Sequence, residues 1–297
     1  MNKKMNCLRQ VCYADRVTVN SGKADGLKLI YCATGKLSFI LNESKCLDVA
    51  SLSVNGENVS FISKNGFTNQ QTGFLKNFGG GMLYTCGLDA IGDIKGHPLH
   101  GLIHNIPAEN VVVSCTDEKL VITGEMRDSA LFGENLLLKR TITAYTKETK
   151  IEISDELVNE SYRTEKYCLL YHVNFGYPFL GENTVLETNA KEIIPRTEKA
   201  AKNMANVLKF EAPVDNEEEE CFFHKGATAI TVRGENSLKA TVSYTGDMFG
   251  FIEWKSFASG DYALGIEPAT SALDGYFEYK TVEPSETKKY GVTISFE

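Results

Sequence analysis

Three histidines fall within eight positions, in the run Gly96-His97-Pro98-Leu99-His100-Gly101-Leu102-Ile103-His104-Asn105. On a helix, His100 and His104 would share a face and suit a metal ion. Pro98, Gly101 and Pro107 break the segment, so no such face is expected. The glutamate of an H-E-x-x-H site is also missing. No metal is expected here, and loop histidines held by backbone hydrogen bonds remain the plainer reading. Upstream, Phe78-Gly79-Gly80-Gly81-Met82 offers backbone freedom. It could cradle a phosphate, but no helix or Lys-Ser/Thr partner follows, and a crowded β-bend accounts for it equally well.

Two further residues could move protons. His172 lies in the aromatic and apolar run Leu169-Leu170-Tyr171-His172-Val173-Asn174-Phe175. A histidine in such company is commonly a satisfied core side chain, yet it is also a proton donor near neutral pH. Glu267 closes the run Tyr262-Ala263-Leu264-Gly265-Ile266-Glu267, with Pro268 holding its backbone extended. A carboxylate on an apolar strand is costly to desolvate without a partner, and burial raises its pKa toward the range of a useful base.

The elements that must position these residues read as short strands with a turn every ten or so residues. Val111–Cys115 and Leu120–Thr123 form a hairpin pattern around a polar turn. Leu136–Tyr145 resumes as Ile151–Ser154, whose alternation has period two. Ala229–Val232 turns back as Leu238–Val242, and Tyr276–Val282 is expected to do the same through Glu283-Pro284-Ser285 into Tyr290–Phe296. Helices are expected only over Glu198–Leu208 and the first fifteen residues. The acidic run Glu217–Glu220 reads as a solvated loop, with cation binding the alternative. The expectation is an all-β chain: residues 1–297 as one antiparallel β-sandwich domain of two stacked sheets, with residues 1–26 an N-terminal extension on or beside it.

Composition bounds the rest. With 297 residues the chain can bury a large core, and 42% hydrophobic with 24% charged residues excludes a disordered chain. A net charge of −8 argues against nucleic acid and anionic membranes as partners. Eight scattered cysteines without a C-x-x-C pair, and no apolar stretch behind the N-terminal lysines, point to reduced thiols and a cytoplasmic protein.

Taken together, four segments resemble the aldose 1-epimerase (galactose mutarotase-like) superfamily, nearest its uncharacterised branch carrying a domain of unknown function. They are Phe78–Asp89, Pro98–Ala108, Tyr171–Asn174 and Gly265–Thr270, in family order across roughly residues 30–297. The resemblance implies a β-supersandwich with a sugar groove on one concave sheet. It further implies that His100 contacts the sugar, that His172 is general acid on the ring oxygen, and that Glu267 is general base on the anomeric hydroxyl. His104, Asn105, Arg127, Trp254 and Lys255 follow as candidate substrate contacts. Many relatives carry an arginine where this chain has Phe78, and hexose-phosphate relatives carry another where it has His104. Both differences weaken the case for a phosphorylated substrate.

The expected activity is mutarotation of a small-molecule carbohydrate by acid/base ring opening, an acid and a base on opposite sides of the ring, without cofactor or metal. A non-catalytic carbohydrate-binding protein on the same fold is the alternative. A hydrolase would need paired carboxylates, for which Glu253 and Glu267 are the nearby candidates. Monomer and homodimer are both open.

Overall fold

The computed structural model describes residues 4–70 and 72–297. The chain opens with β1 (Cys12–Thr18), β2 (Lys28–Thr34), β3 (Leu37–Asn42), β4 (Asp48–Val54) and β5 (Glu57–Asn58). These pair in sequence order into a five-stranded antiparallel sheet. A one-turn helix α1 (Phe74–Asn77) precedes β6 (Tyr84–Leu88). Then come β7 (Glu109–Cys115), β8 (Lys119–Ser129), β9 (Asn135–Tyr145), β10 (Lys150–Asn159) and β11 (Glu165–Phe175). Two short strands, β12 (Val185–Thr188) and β13 (Glu192–Pro195), lead into α2 (Glu198–Lys202). The chain continues through β14 (Glu220–Lys225), β15 (Ala229–Arg233), β16 (Lys239–Thr245) and β17 (Gly250–Ser256). It ends with β18 (Ala263–Ala269), β19 (Lys280–Val282) and β20 (Thr287–Phe296).

An eight-stranded sheet runs β12-β15-β16-β20-β10-β9-β8-β7, and a seven-stranded one runs β13-β14-β17-β18-β11-β19 with β6 also on β11. The first follows the alternation read from the sequence: on β10, Ile151, Ile153 and Leu157 point inward. They meet Leu169, Tyr171, Val173, Phe251 and Ile266 from the seven-stranded sheet in one apolar core. The fold is therefore all-β and antiparallel, with a third sheet added to the expected pair. Strands β11 and β18 are buried on both faces, which explains their near-continuous apolar sequence.

One guanidinium ties the three sheets together. Arg140 on β9 is fully buried, with Nη1 2.7 Å from Asp48 and Nη2 2.7 Å from Asp155. Tyr171 on β11 donates to the same Asp155 at 2.8 Å, and Thr85 on β6 donates to Asp48 at 2.6 Å. These four side-chain partners lie on four different strands, so the network fixes where β11, and with it His172, sits.

Three expectations change. The N-terminal helix is instead a 3-10 turn, Leu8–Gln10, followed by β1 paired to β2; residues 1–3 of that stretch lie outside the described residues. The Glu198–Leu208 helix is only α2, capped by Thr197 Oγ1 accepting from Ala200 N at 3.1 Å, and a 3-10 turn at Met204–Asn206. The C-terminal hairpin does not form: β19 pairs with β11, whereas β20 pairs with β10 and β16. The turn at Pro284 reverses the chain between sheets.

Candidate active site

A strand alternates its side chains between two faces, so register sorts the seven-stranded sheet. Ile252 pairs with Glu267 and Trp254 with Gly265, which puts these four on one face. Between β11 and β18, Leu170 pairs with Ala269 and Val173 with Ile266. The same register sets His172 directly across from Glu267, and His172 Nε2 lies 3.2 Å from Glu267 Oε1. Glu267 Oε1 accepts no hydrogen bond among the described residues, although Glu267 is only 2% exposed. The pair forms the floor of a groove of about 630 Å³.

Aromatic rings wall His172 in. The ring of Phe78 is 5.4 Å away, that of Trp254 5.6 Å and that of His100 5.8 Å, centroid to centroid. Burial among these groups pushes the His172 pKa down to about 3, with His100 adding to the effect. Burial drives the Glu267 carboxyl the other way, well above its usual range; Glu219 reinforces this and Arg196 opposes it. Both shifts run toward the uncharged forms, a neutral imidazole and a protonated carboxyl.

Glycine makes room for the carboxyl. A Cβ at Gly265 would sit 2.2 Å from Glu267 Oε1 and 3.1 Å from His172 Cε1. Gly80 serves the backbone instead. Its φ of +76° and a would-be Cβ contact of 2.3 Å with the Phe61 carbonyl oxygen mark a crowded bend, so that reading of the glycine run holds. The bend presents Phe78, stacked on Phe74 at 4.9 Å, to the groove.

His100 lines the same groove from a φ of +63°. Three contacts hold that strained backbone and its ring: His100 N to Gly92 O at 3.0 Å, Gly87 N to His100 O at 3.1 Å, and Gly92 N to His100 Nδ1 at 3.2 Å. Burial, with Arg196 nearby, lowers its pKa to about 4.

The other candidates separate. Trp254 lines the groove, and its Nε1 donates to Glu219 at 2.8 Å. Lys255, next in sequence, points to the opposite face and is buried against Glu253 at 3.0 Å, so it is no groove contact. Glu253 shares that inner face, so it does not pair with Glu267 across the groove as the hydrolase reading required. His104 is buried behind the wall with its ring 4.6 Å from that of Tyr84. Asn105 accepts from Asn77 at 2.8 Å, and Arg127 pairs with Glu160 at 2.7 Å; neither lines the groove. His97 sits at the surface 3.1 Å from Asp89. Among the described residues no cluster of three or more His, Cys, Asp or Glu is arranged to hold a metal, and no helix is long and apolar enough to cross a membrane.

Arg196 and Glu219 are groove residues that the sequence reading missed. Arg196 follows β13 with no motif around it. Glu219 lay within the acidic run, which divides: Glu218 is exposed, Glu219 stands at the groove, and Glu220 is buried and accepts from Asn203 at 2.9 Å.

The family profile described as a domain of unknown function, DUF4432, matches residues 24–295. The chain belongs to the DUF4432 family. No curated protein matches the sequence. Solved structures supply the fold. A Klebsiella pneumoniae protein provisionally named an aldose 1-epimerase superposes with a TM-score of 0.86 at 20% identity, over 95% of this chain and 83% of that one. A galactose mutarotase-like protein from Clostridium acetobutylicum gives 0.70 at 14% identity, over 97% and 99%. A galactose mutarotase related enzyme from Lactobacillus acidophilus gives 0.62 at 12%, over 96% and 97%. This DUF4432 protein therefore has the galactose mutarotase-like fold that the four segments implied.

Proposed function

We propose that this protein is an aldose 1-epimerase-like isomerase that opens and recloses a cyclic sugar at its anomeric carbon. The observation that carries the reading is the buried His172–Glu267 pair at the floor of an aromatic groove, 3.2 Å apart and facing open space. Ring opening needs one group to take the proton from the anomeric hydroxyl and another to give one to the ring oxygen. Those two oxygens share a carbon, so a side-by-side pair reaches both; the two groups need not stand on opposite sides of the ring.

The proton balance is closed. Entered from the uncharged forms that both shifts favour, the cycle has the proton on Glu267 and the free lone pair on His172, the reverse of the roles implied by the resemblance. Glu267 gives its proton to the ring oxygen as His172 takes the anomeric one, leaving carboxylate, imidazolium and the open aldehyde. Rotation about C1–C2 presents the other carbonyl face. Closure then returns the proton from the sugar hydroxyl to Glu267 and gives that of His172 to the carbonyl oxygen. The family-like assignment starts with the proton already moved across the pair and also exchanges the two sugar oxygens, His172 giving to the ring oxygen and Glu267 taking from the anomeric hydroxyl. Each group contributes ~10²–10⁴-fold in such chemistry. His100 and Trp254 support the reading as contacts for the bound ring.

Saturation-transfer NMR over a panel of aldoses tests it, with Glu267→Gln as the control. Exchange accelerated by wild type and not by the variant is expected. Sugar binding without accelerated exchange would instead make this a carbohydrate-binding protein.

A further inference from the structure

The groove carries an excess of acid. Among the described residues, five carboxyl side chains line it against two basic ones. Both basic groups are already engaged, Lys64 Nζ 2.6 Å from Asp261 and Arg196 ion-paired with Asp274, and Glu217 is paired with Lys199, which leaves Asp93, Glu219 and Glu267 without a cation in contact among the described residues. Glu219 has no cation in contact among the described residues; its partner is the Trp254 indole N–H at 2.8 Å, a neutral donor. That bond leaves Glu219 lone pairs for further donors. Its charge is felt at Glu267, which itself presents a buried, unpartnered oxygen to the same space.

Resting on the acid/base reading above, we infer that the groove selects sugars that carry no anionic group, and that Glu219, positioned by Trp254, is the specificity-determining residue. It accepts hydrogen bonds from hydroxyl or ammonium groups on the bound ring and repels phosphate, sulfonate or carboxylate. An anion entering would meet like charge in a partly dry site, with each basic group already ion-paired to a carboxylate. Selectivity comes from that repulsion as much as from attraction for the right ring.

The test uses four aldohexoses of one configuration: the free sugar, its 2-amino form, its 6-phosphate and its uronate. Binding to wild type and Glu219→Gln is followed by chemical-shift perturbation, and anomer exchange by saturation transfer. Wild type should bind the free and amino sugars at least about tenfold more tightly than the two anions. Glu219→Gln should narrow that gap about fivefold, with the amino form losing and the anions gaining. Trp254→Phe, which keeps a ring but removes the donor, should move the ranking in the same direction by less. An anion bound as tightly as the free sugar by wild type, or a ranking unchanged in Glu219→Gln, would overturn the inference. The expected ranking without any exchange would remove the catalytic reading and leave this one standing. Exchange that favours an anion would do the reverse.

Discussion

The seven-stranded sheet carries two buried His–Glu pairs, one on each face. On the core face, His224 Nε2 is 2.5 Å from Glu253 Oε2, and Lys255 Nζ is 3.0 Å from the other carboxylate oxygen. Lys255 also donates to the carbonyl oxygens of Lys209 at 3.1 Å and Val207, so it pins the segment after α2 to the sheet. On the groove face, His172 and Glu267 have no such cation in contact among the described residues. The residue types are the same; what differs is the third partner and the opening. A buried charge that is compensated and closed off holds structure, whereas an uncompensated pair beside a cavity has its polar atoms left for a ligand.

Removing the compensating cation should give the largest effect. Lys255→Met leaves Glu253 without its ammonium in the core, and a loss of about 3–5 kcal/mol is expected in denaturant unfolding. Turnover per folded molecule should stay near wild type. A variant as stable as wild type would erase the structural half of the contrast.

Glu267→Gln should do the opposite. Anomer exchange should fall at least ~10²-fold while the melting temperature holds or rises. Glu253→Gln is the matched control: a comparable loss of exchange with the fold intact would show that the two pairs are not divided by function.

Gly265→Ala probes the contrast without touching either group. The added methyl competes with the Glu267 carboxyl for one space, at 2.2 Å. Exchange should drop about tenfold or more through displacement of the acid, with sugar binding changed less. Unaltered kcat would mean the carboxyl has another productive position.

A separate expectation concerns stability against pH. His100, His104 and His172 have folded pKa values of about 4, 3 and 3, all below the ordinary 6.5. The unfolded chain therefore binds protons that the fold refuses, and stability falls as pH drops from 6.5 toward 4. The loss is about 1.4 kcal/mol per histidine one pH unit below 6.5. Glu267 has the opposite sign: its raised pKa favours the fold at acid pH, and that contribution is lost as pH rises above 4.5. Glu267→Gln should therefore steepen the acid loss. A melting temperature independent of pH between 7 and 4.5 would sink this account of the histidines.

Much of the fold was legible because hairpins are local. The β9–β10 and β15–β16 pairs needed only a period-two pattern and a polar turn, and both formed. The turn at Pro284 looked the same in sequence, but a turn specifies reversal and not the partner strand, so β19 and β20 parted. The helix expected at the N-terminus failed for a related reason: pairing with β2 outweighed a weak local preference.

Within the site, the chemical groups could be read from the residues alone: a histidine and a glutamate on apolar strands, a glycine two before that glutamate, and a tryptophan nearby. Faces could not be read that way. Trp254 and Lys255 are neighbours in the chain, and strand geometry must send one to the groove and the other to the core. Which goes where depends on the register with β14 and β18 and on which face the eight-stranded sheet covers. Glu219 and Arg196 reach the groove from loops whose paths are set by packing alone. These placements were settled in three dimensions, because desolvation and charge pairing act between residues distant in the chain.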